Sequence, residues 1–351
     1  TSLKLLNINQ KTEDGNALVN IGNYAFRNNT SLTTIIFPDT IQSIGDYAFS
    51  NCISLNFVLL PTSLIKLGNY AFSNCDSIER IVLPEALINI GQYTFAYSNG
   101  LKSVKFNGSV TGTYMFYECD SLITVDLNDV VIIESYAFAY TLGLKEILLP
   151  ETITTIKNNA FMGTGLEEVV IPSSVSTLGT EVFKDASSLY NVIFKNEVTG
   201  LNMFYNATAL VYVNLGQVKN IANYAFYNCI NLEFPTIPNT VLTIGTYAFA
   251  KCYSFSTVIV PDSVTSMGMN CFYDVDVVDL TIPFVGTNQD PSASWQRYSS
   301  LSYIFGASYE ASQSYDHIGM PYTDPNKSYL TYYNIQYSDG YSNDTIRSYL
   351  P

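Results

Sequence analysis

Apolar and polar positions alternate along this chain in a pattern that restarts every 21 to 23 residues. A Phe marks each restart, at 26, 49, 72, 95, 116, 138, 161, 183, 204, 226, 249 and 272. After each Phe comes a segment such as Leu32-Thr33-Thr34-Ile35-Ile36-Phe37-Pro38, apolar at its first, fourth and sixth places. Those places return as Leu55, Val58 and Leu60, as Ile78, Ile81 and Leu83, as Leu144, Ile147 and Leu149, and as Leu210, Val213 and Leu215. Strand side chains point alternately to two faces, so the fourth and sixth places turn inward while the third and fifth point outward. Pro38, Pro61, Pro84, Pro150, Pro172, Pro238 and Pro261 follow directly. Pro has no N–H to give a ladder, so each strand ends there. Next comes an Ile-Gly or Leu-Gly pair (Ile21-Gly22, Ile44-Gly45, Leu67-Gly68, Ile90-Gly91, Ile244-Gly245). The permissive backbone of Gly predicts that the chain reverses at this point. The Ala-Phe pair then closes the unit with its ring inside.

Recurrence at this period predicts a leucine-rich-repeat solenoid. One coil cannot bury its own apolar side, so stability has to come from stacking neighbours. The expected architecture is a right-handed, curved stack of about 13 coils, with parallel strands about 4.8 Å apart forming a sheet on the concave face. On that spacing the stack would be roughly 60 Å long. The solenoid is expected over residues 1–283, an irregular Tyr- and Ser-rich insertion over 284–327, and a degenerate terminal repeat over 328–351, where Leu330, Tyr333 and Ile335 restore the first, fourth and sixth places. Thr1 to Ile8 already reads as the strand of a coil, so the chain is expected to begin inside a larger protein.

The form L-x-x-I-x-L-P, then I-G-x-x-A-F, then Cys three residues on, stands here as Leu55 to Pro61, Leu67-Gly68-Asn69-Tyr70-Ala71-Phe72 and Cys75. It resembles the BspA-like leucine-rich-repeat family, over residues 1 to about 283. Members of that family are mostly surface or secreted proteins of host-associated bacteria and some protozoa, associated with adhesion to host proteins and other microbes. The resemblance therefore implies an extracellular or cell-surface module of bacterial type that binds a protein or glycan on a host or neighbouring cell. The units Val110 to Phe116 and Val198 to Phe204 depart from the pattern, being shorter and lacking the Pro.

Composition narrows the partners. The chain is 47% hydrophobic and only 13% charged, which supplies a core and excludes a disordered segment. A net charge of −14 argues against nucleic acid and against anionic lipid, both of which select a clustered basic surface. No apolar run approaches the roughly 18 residues of a membrane helix, so no membrane insertion is expected within these residues.

Candidate chemistry is sparse. Cys52, Cys75, Cys119, Cys229 and Cys252 share a slot that elsewhere holds Ser98, Thr141, Thr164, Ala186 or Ala207, and Cys271 takes the small slot before its Phe. Such a slot selects a small buried side chain, so free thiols are expected, although Cys52 with Cys75 and Cys229 with Cys252 would stand in adjacent coils within disulfide reach. Metal-ligand spacings are absent, and so are phosphate-loop and dinucleotide fingerprints. His317 is the single histidine. Without a partner it cannot form a Ser-His-Asp or Cys-His site. Asp274, Asp276 and Asp279 lack the Gly and Glu of a calcium loop. No cofactor, no metal and no enzymatic activity are expected.

The outward places carry the functional reading. The third places include Phe57, Glu146, Glu168, Tyr212 and Phe234, and the fifth places include Leu59 and Asp126. Asp126, Glu146 and Glu168 form a candidate acidic patch for a basic partner. Glu146 and Glu168 would lie about 5 Å apart, a glycosidase-like spacing, but on a strand face with no cleft. Phe57, Tyr212 and Phe234 are candidate aromatic anchors, projecting from the sheet. A second column, with Tyr24, Tyr47, Tyr70, Tyr93, Tyr114, Tyr136, Tyr224 and Tyr247 two residues before the Phe, is read as stacking between coils. The alternative to a binding module is a stalk that holds other domains of a larger surface protein.

Overall fold

A computed structural model describes residues 3–8, 17–283, 304–305, 333–337 and 345–346. The fold is a parallel β-solenoid of about eleven turns. That is slightly fewer than the expected 13. The chain packs as two compact units, Thr1–Leu189 and Tyr190–Pro351.

In the first unit the strands Leu5–Asn7, Thr34–Ile36 and Phe57–Val58 pair in parallel, as do Arg80–Leu83, Ser103–Phe106 and Thr124–Asp126. Registers such as Thr34 opposite Phe57 and Arg80 opposite Ser103 put the third places of successive coils in line. Inward residues Ile35, Ile81 and Val104 are buried, as the alternation predicts. In the second unit Asn191–Phe194 pairs with Tyr212–Asn214, and Thr257–Ile259 with Asp279–Ile282. Tyr333–Tyr337 adds a further parallel strand beside Asp279–Ile282 and sets Ile335 opposite Leu280, at a fourth rather than a sixth place.

Two expected strands are missing. No strand forms over 144–149, although Leu144 and Leu149 remain buried. None forms over 232–237 either, where Pro235 sits at the fourth place and has no N–H for a ladder.

The Ile-Gly pairs do not reverse the chain. Their apolar residues lie in a second column of two-residue strands, including Asn20–Ile21, Ser43–Ile44, Lys66–Leu67 and Asn89–Ile90. These too pair in parallel from coil to coil. The glycines serve close approach instead. A Cβ on Gly68 would lie 2.5 Å from the backbone nitrogen of Asp46 and from the carbonyl carbon of Gly45. The left-handed residues are elsewhere. The eight tyrosines two places before the Phe have φ of 52° to 57°, and Asn28, Asn51 and Asn74, two places after it, repeat the conformation. A bulky residue pays a steric cost there that Gly would not. This turn also ties the coils together, since the N–H groups of Tyr24, Phe26 and Asn28 donate to the carbonyls of Asp46, Ala48 and Ser50 at 2.7–2.9 Å.

The core is a file of phenyl rings. From Phe26 to Phe183 the rings stack at 5.1–5.7 Å, and from Phe204 to Phe272 at 5.2–5.7 Å. All six thiols are buried and free. Five of them do more than fill space: Cys52, Cys75, Cys119, Cys229 and Cys252 donate to the carbonyl of the preceding coil's Phe at 3.2–3.3 Å. Ser98 in the same slot does likewise, at 3.2 Å to Phe72. Burial pushes the thiol of Cys52 up to about 11 and that of Cys119 up to about 12.

Candidate functional site

The outward face of the strands is rich in exposed apolar groups. Leu148 is 82% exposed, Leu59 65%, Phe57 56% and Tyr212 54%, which leaves large side chains in water with no structural task. Phe57 and Leu59 stand on the outer side of the strand segment whose Val58 points inward, a direct result of the two-residue strand period.

Beside them the ladder opens. Thr33 accepts from the N–H groups of Asn56 and Phe57, and Glu79 accepts from those of Lys102 and Ser103. Between these two pairs of coils, Phe57–Val58 and Arg80–Leu83 belong to different sheets. A groove of about 840 Å³ lies there, with Phe57, Leu59, Arg80, Val82 and Lys102 on its walls. Lys102 is tied to Glu79 at 2.8 Å, whereas Arg80 has no ion-pair partner among the described residues. Sequence reasoning found Phe57 and Leu59 but missed Arg80, because a gap in a hydrogen-bond ladder leaves no mark in the residue pattern.

Of the three acidic candidates, one is paired within the fold and two are exposed carboxylates. Asp126 faces Lys105 of the preceding coil at 3.4 Å, both half-exposed, so its charge is largely offset. Glu168 lies in the strand Glu168–Ile171, and Glu146 in the stretch that forms no strand. Both are exposed, and neither lines the groove.

Phe234 overturns its expected placement. It is half-buried, with its ring 5.0 Å from that of Phe255 and 5.9 Å from that of Phe249. The neighbouring Pro235 takes the inward fourth place and removes the strand that would have held Phe234 outward. It is a packing residue.

On the turn edge of the first unit the tyrosine column is stacked from Tyr24 to Tyr136 at 4.4–5.1 Å. Tyr97, Tyr117 and Tyr140, one or two places after the Phe, widen it. Tyr117 meets Tyr97 and Tyr140 edge-on at 5.7 and 5.5 Å. Burial, then the Glu118 carboxylate beside it, pushes the Tyr117 phenol up to about 12, and the same two causes raise Tyr97. Their distance from the Phe varies from coil to coil, so the repeat pattern does not mark them. Among the described residues no group of three or more His, Cys, Asp or Glu could hold a metal ion, and no helix is long and apolar enough to cross a membrane.

Stacked coils of this period, with constant inward columns and a variable outward face, define a leucine-rich-repeat protein. The chain belongs to the BspA-type leucine-rich-repeat family, whose model matches residues 19–130, 109–233 and 219–309. Its fold is similar to that of a leucine-rich repeat protein from Bacteroides ovatus, with 26% identity over 80% of this chain and 81% of that one and a TM-score of 0.70. A leucine-rich cell surface protein from Faecalibacterium prausnitzii aligns at 20% identity over 81% of this chain and 82% of that one, with a TM-score of 0.43. No curated protein matches the chain.

Proposed function

We propose that the chain is a non-catalytic, cell-surface or secreted recognition module that binds a protein or glycan of a host or neighbouring cell through the outward face of its strands. One observation carries this reading. Inward positions repeat from coil to coil, as a scaffold requires, while outward positions change and hold large apolar groups in water at Phe57, Leu59, Leu148 and Tyr212. Family membership supports the surface location and the adhesive role. Phe57 and Leu59, beside a groove with a free guanidinium at Arg80, are the first anchors to test. Asp126, Glu146 and Glu168 are secondary contacts to basic groups. Catalysis finds no support, since Glu146 and Glu168 stand on an open face that encloses no substrate.

The test is saturable binding of the purified chain to immobilised extracellular-matrix proteins and host glycans at two salt concentrations. Phe57→Ala with Leu59→Ala should weaken it at least about tenfold, as loss of buried anchors does. Unchanged affinity in that variant would remove this face from the reading, and no binding at all would favour a spacer that presents other domains.

A further inference from the structure

The turn edge, on a different side of each coil from the outward strand face, carries a second surface. Its chemistry is visible because the molecule uses it on itself. At one end of the tyrosine column the guanidinium of Arg27 lies 5.6 Å from the Tyr24 ring and 5.2 Å from the Tyr47 ring. In the second unit the ammonium of Lys251 lies 5.6 Å from the Tyr227 ring, and Tyr253 there donates to Asp274 at 3.0 Å. A cation over an electron-rich ring, with a carboxylate close by, is a favourable arrangement that gains strength as water is excluded.

The middle of the first unit has the rings and the carboxylate without the cation. Tyr93, Tyr97, Tyr114 and Tyr117 form one cluster with centroids 4.4–6.4 Å apart. Glu118 is exposed and acts on both Tyr97 and Tyr117. Tyr97 and Glu118 occupy, in their coils, the slot that Lys251 fills in its own, two places after the Phe. Tyr117 packs edge-on against Tyr97 and both rings are half-exposed, whereas each ring inside the main column is stacked on both faces. Lys184 acts on Tyr136 and Tyr140, further along the edge, and is held by Glu181 at 3.1 Å.

We infer that Tyr97, Tyr117 and Glu118, packed beside the stacked Tyr93 and Tyr114, form a docking surface for a lysine- or arginine-rich segment of a partner protein. The partner's cation takes the place that Arg27 and Lys251 hold on their own tyrosines, and Glu118 receives its charge. The net charge of −14 favours the approach of such a segment.

The probe is a fluorescent hexapeptide of alternating Gly and Lys, titrated against the intact chain and followed by anisotropy. Its Gly-Glu counterpart and a neutral glucose hexasaccharide are run beside it. The Lys peptide should bind saturably, about tenfold more weakly in Tyr117→Leu and in Glu118→Gln, with no loss in an Asp39→Asn, Glu85→Gln double variant, which removes two exposed carboxylates outside either surface. Equal binding by the Gly-Glu peptide, equal weakening in the double variant, tighter binding of the hexasaccharide, or no binding at all would each overturn the inference. Because Phe57→Ala with Leu59→Ala reports on the strand face by itself, failure at the turn edge leaves that reading standing.

Discussion

Two tyrosine edges built on the same turn behave differently. In the second unit Tyr205 and Tyr227 stack at 4.8 Å, Tyr224 and Tyr247 at 5.0 Å, and the edge supplies its own ammonium from Lys251. In the first unit the edge from Tyr93 to Tyr140 carries an exposed Glu118, beside Tyr97 and Tyr117, in the slot that Lys251 fills. The scaffold beneath is the same in both: left-handed turns, a Phe file and thiol or hydroxyl donors to the Phe carbonyls. What separates a self-satisfied edge from an available one is a single side chain in a slot that the fold leaves open.

If the scaffold is common, the largest effects should be equal at both edges. Phe116→Ala and Phe226→Ala each remove a fully buried ring and should each cost about 3–5 kcal/mol in chemical denaturation. A markedly smaller loss at one edge would mean that the two stacks are not equivalent. Alkaline pH should weaken the thiol slots of both units next. The thiols stay neutral in the fold and ionise in the unfolded chain, so their contribution is whole below about pH 8.5 and shrinks as pH rises toward the raised values of Cys52 and Cys119. Replacing the five slot cysteines by Ser, which Ser98 shows to be compatible, should flatten the fall of Tm between pH 8 and 11.

Smaller still is the cost of Gly68→Ala, whose new methyl would press on the backbone of the preceding coil. It should destabilise by about 1–3 kcal/mol, read from the urea midpoint. Smallest, and most pointed, is Lys251→Ala. It should cost under about 1 kcal/mol yet open the second edge to the Gly-Lys peptide, read as a second binding phase. If no second phase appears, the slot is not what separates the edges.

Much of this was legible in the residues. The Phe period, the inward first, fourth and sixth places and the small slot of the thiols are packing requirements repeated often enough to read directly. The second sheet was hidden because its strands are only two residues long, too short to show a period of two. The left-handed tyrosines ran against the ordinary preference of bulky residues. Ring stacking between neighbouring coils and the turn's backbone bonds accompany that conformation, and neither is a property of one residue. Phe234 misled because its outward direction was assigned from its place number, while Pro235 beside it had already removed the strand. The groove beside Phe57 belongs to the spacing of coils, which the order of residues along one coil does not encode, whereas the pairing of Asp126 with Lys105 follows from two fifth places in adjacent coils.

The hydrogen bonds that join the coils within a unit have a mechanical consequence. They run along the stacking direction at the strands, at the two-residue strands and at the left-handed turn, so a pull from the chain ends loads them one coil at a time. Each peeled coil of 21–23 residues frees roughly 70 Å of chain. Single-molecule stretching should show a train of small, evenly spaced force peaks instead of one abrupt rupture. A module at a cell surface built this way would lengthen under drag and absorb work while its remaining coils kept hold.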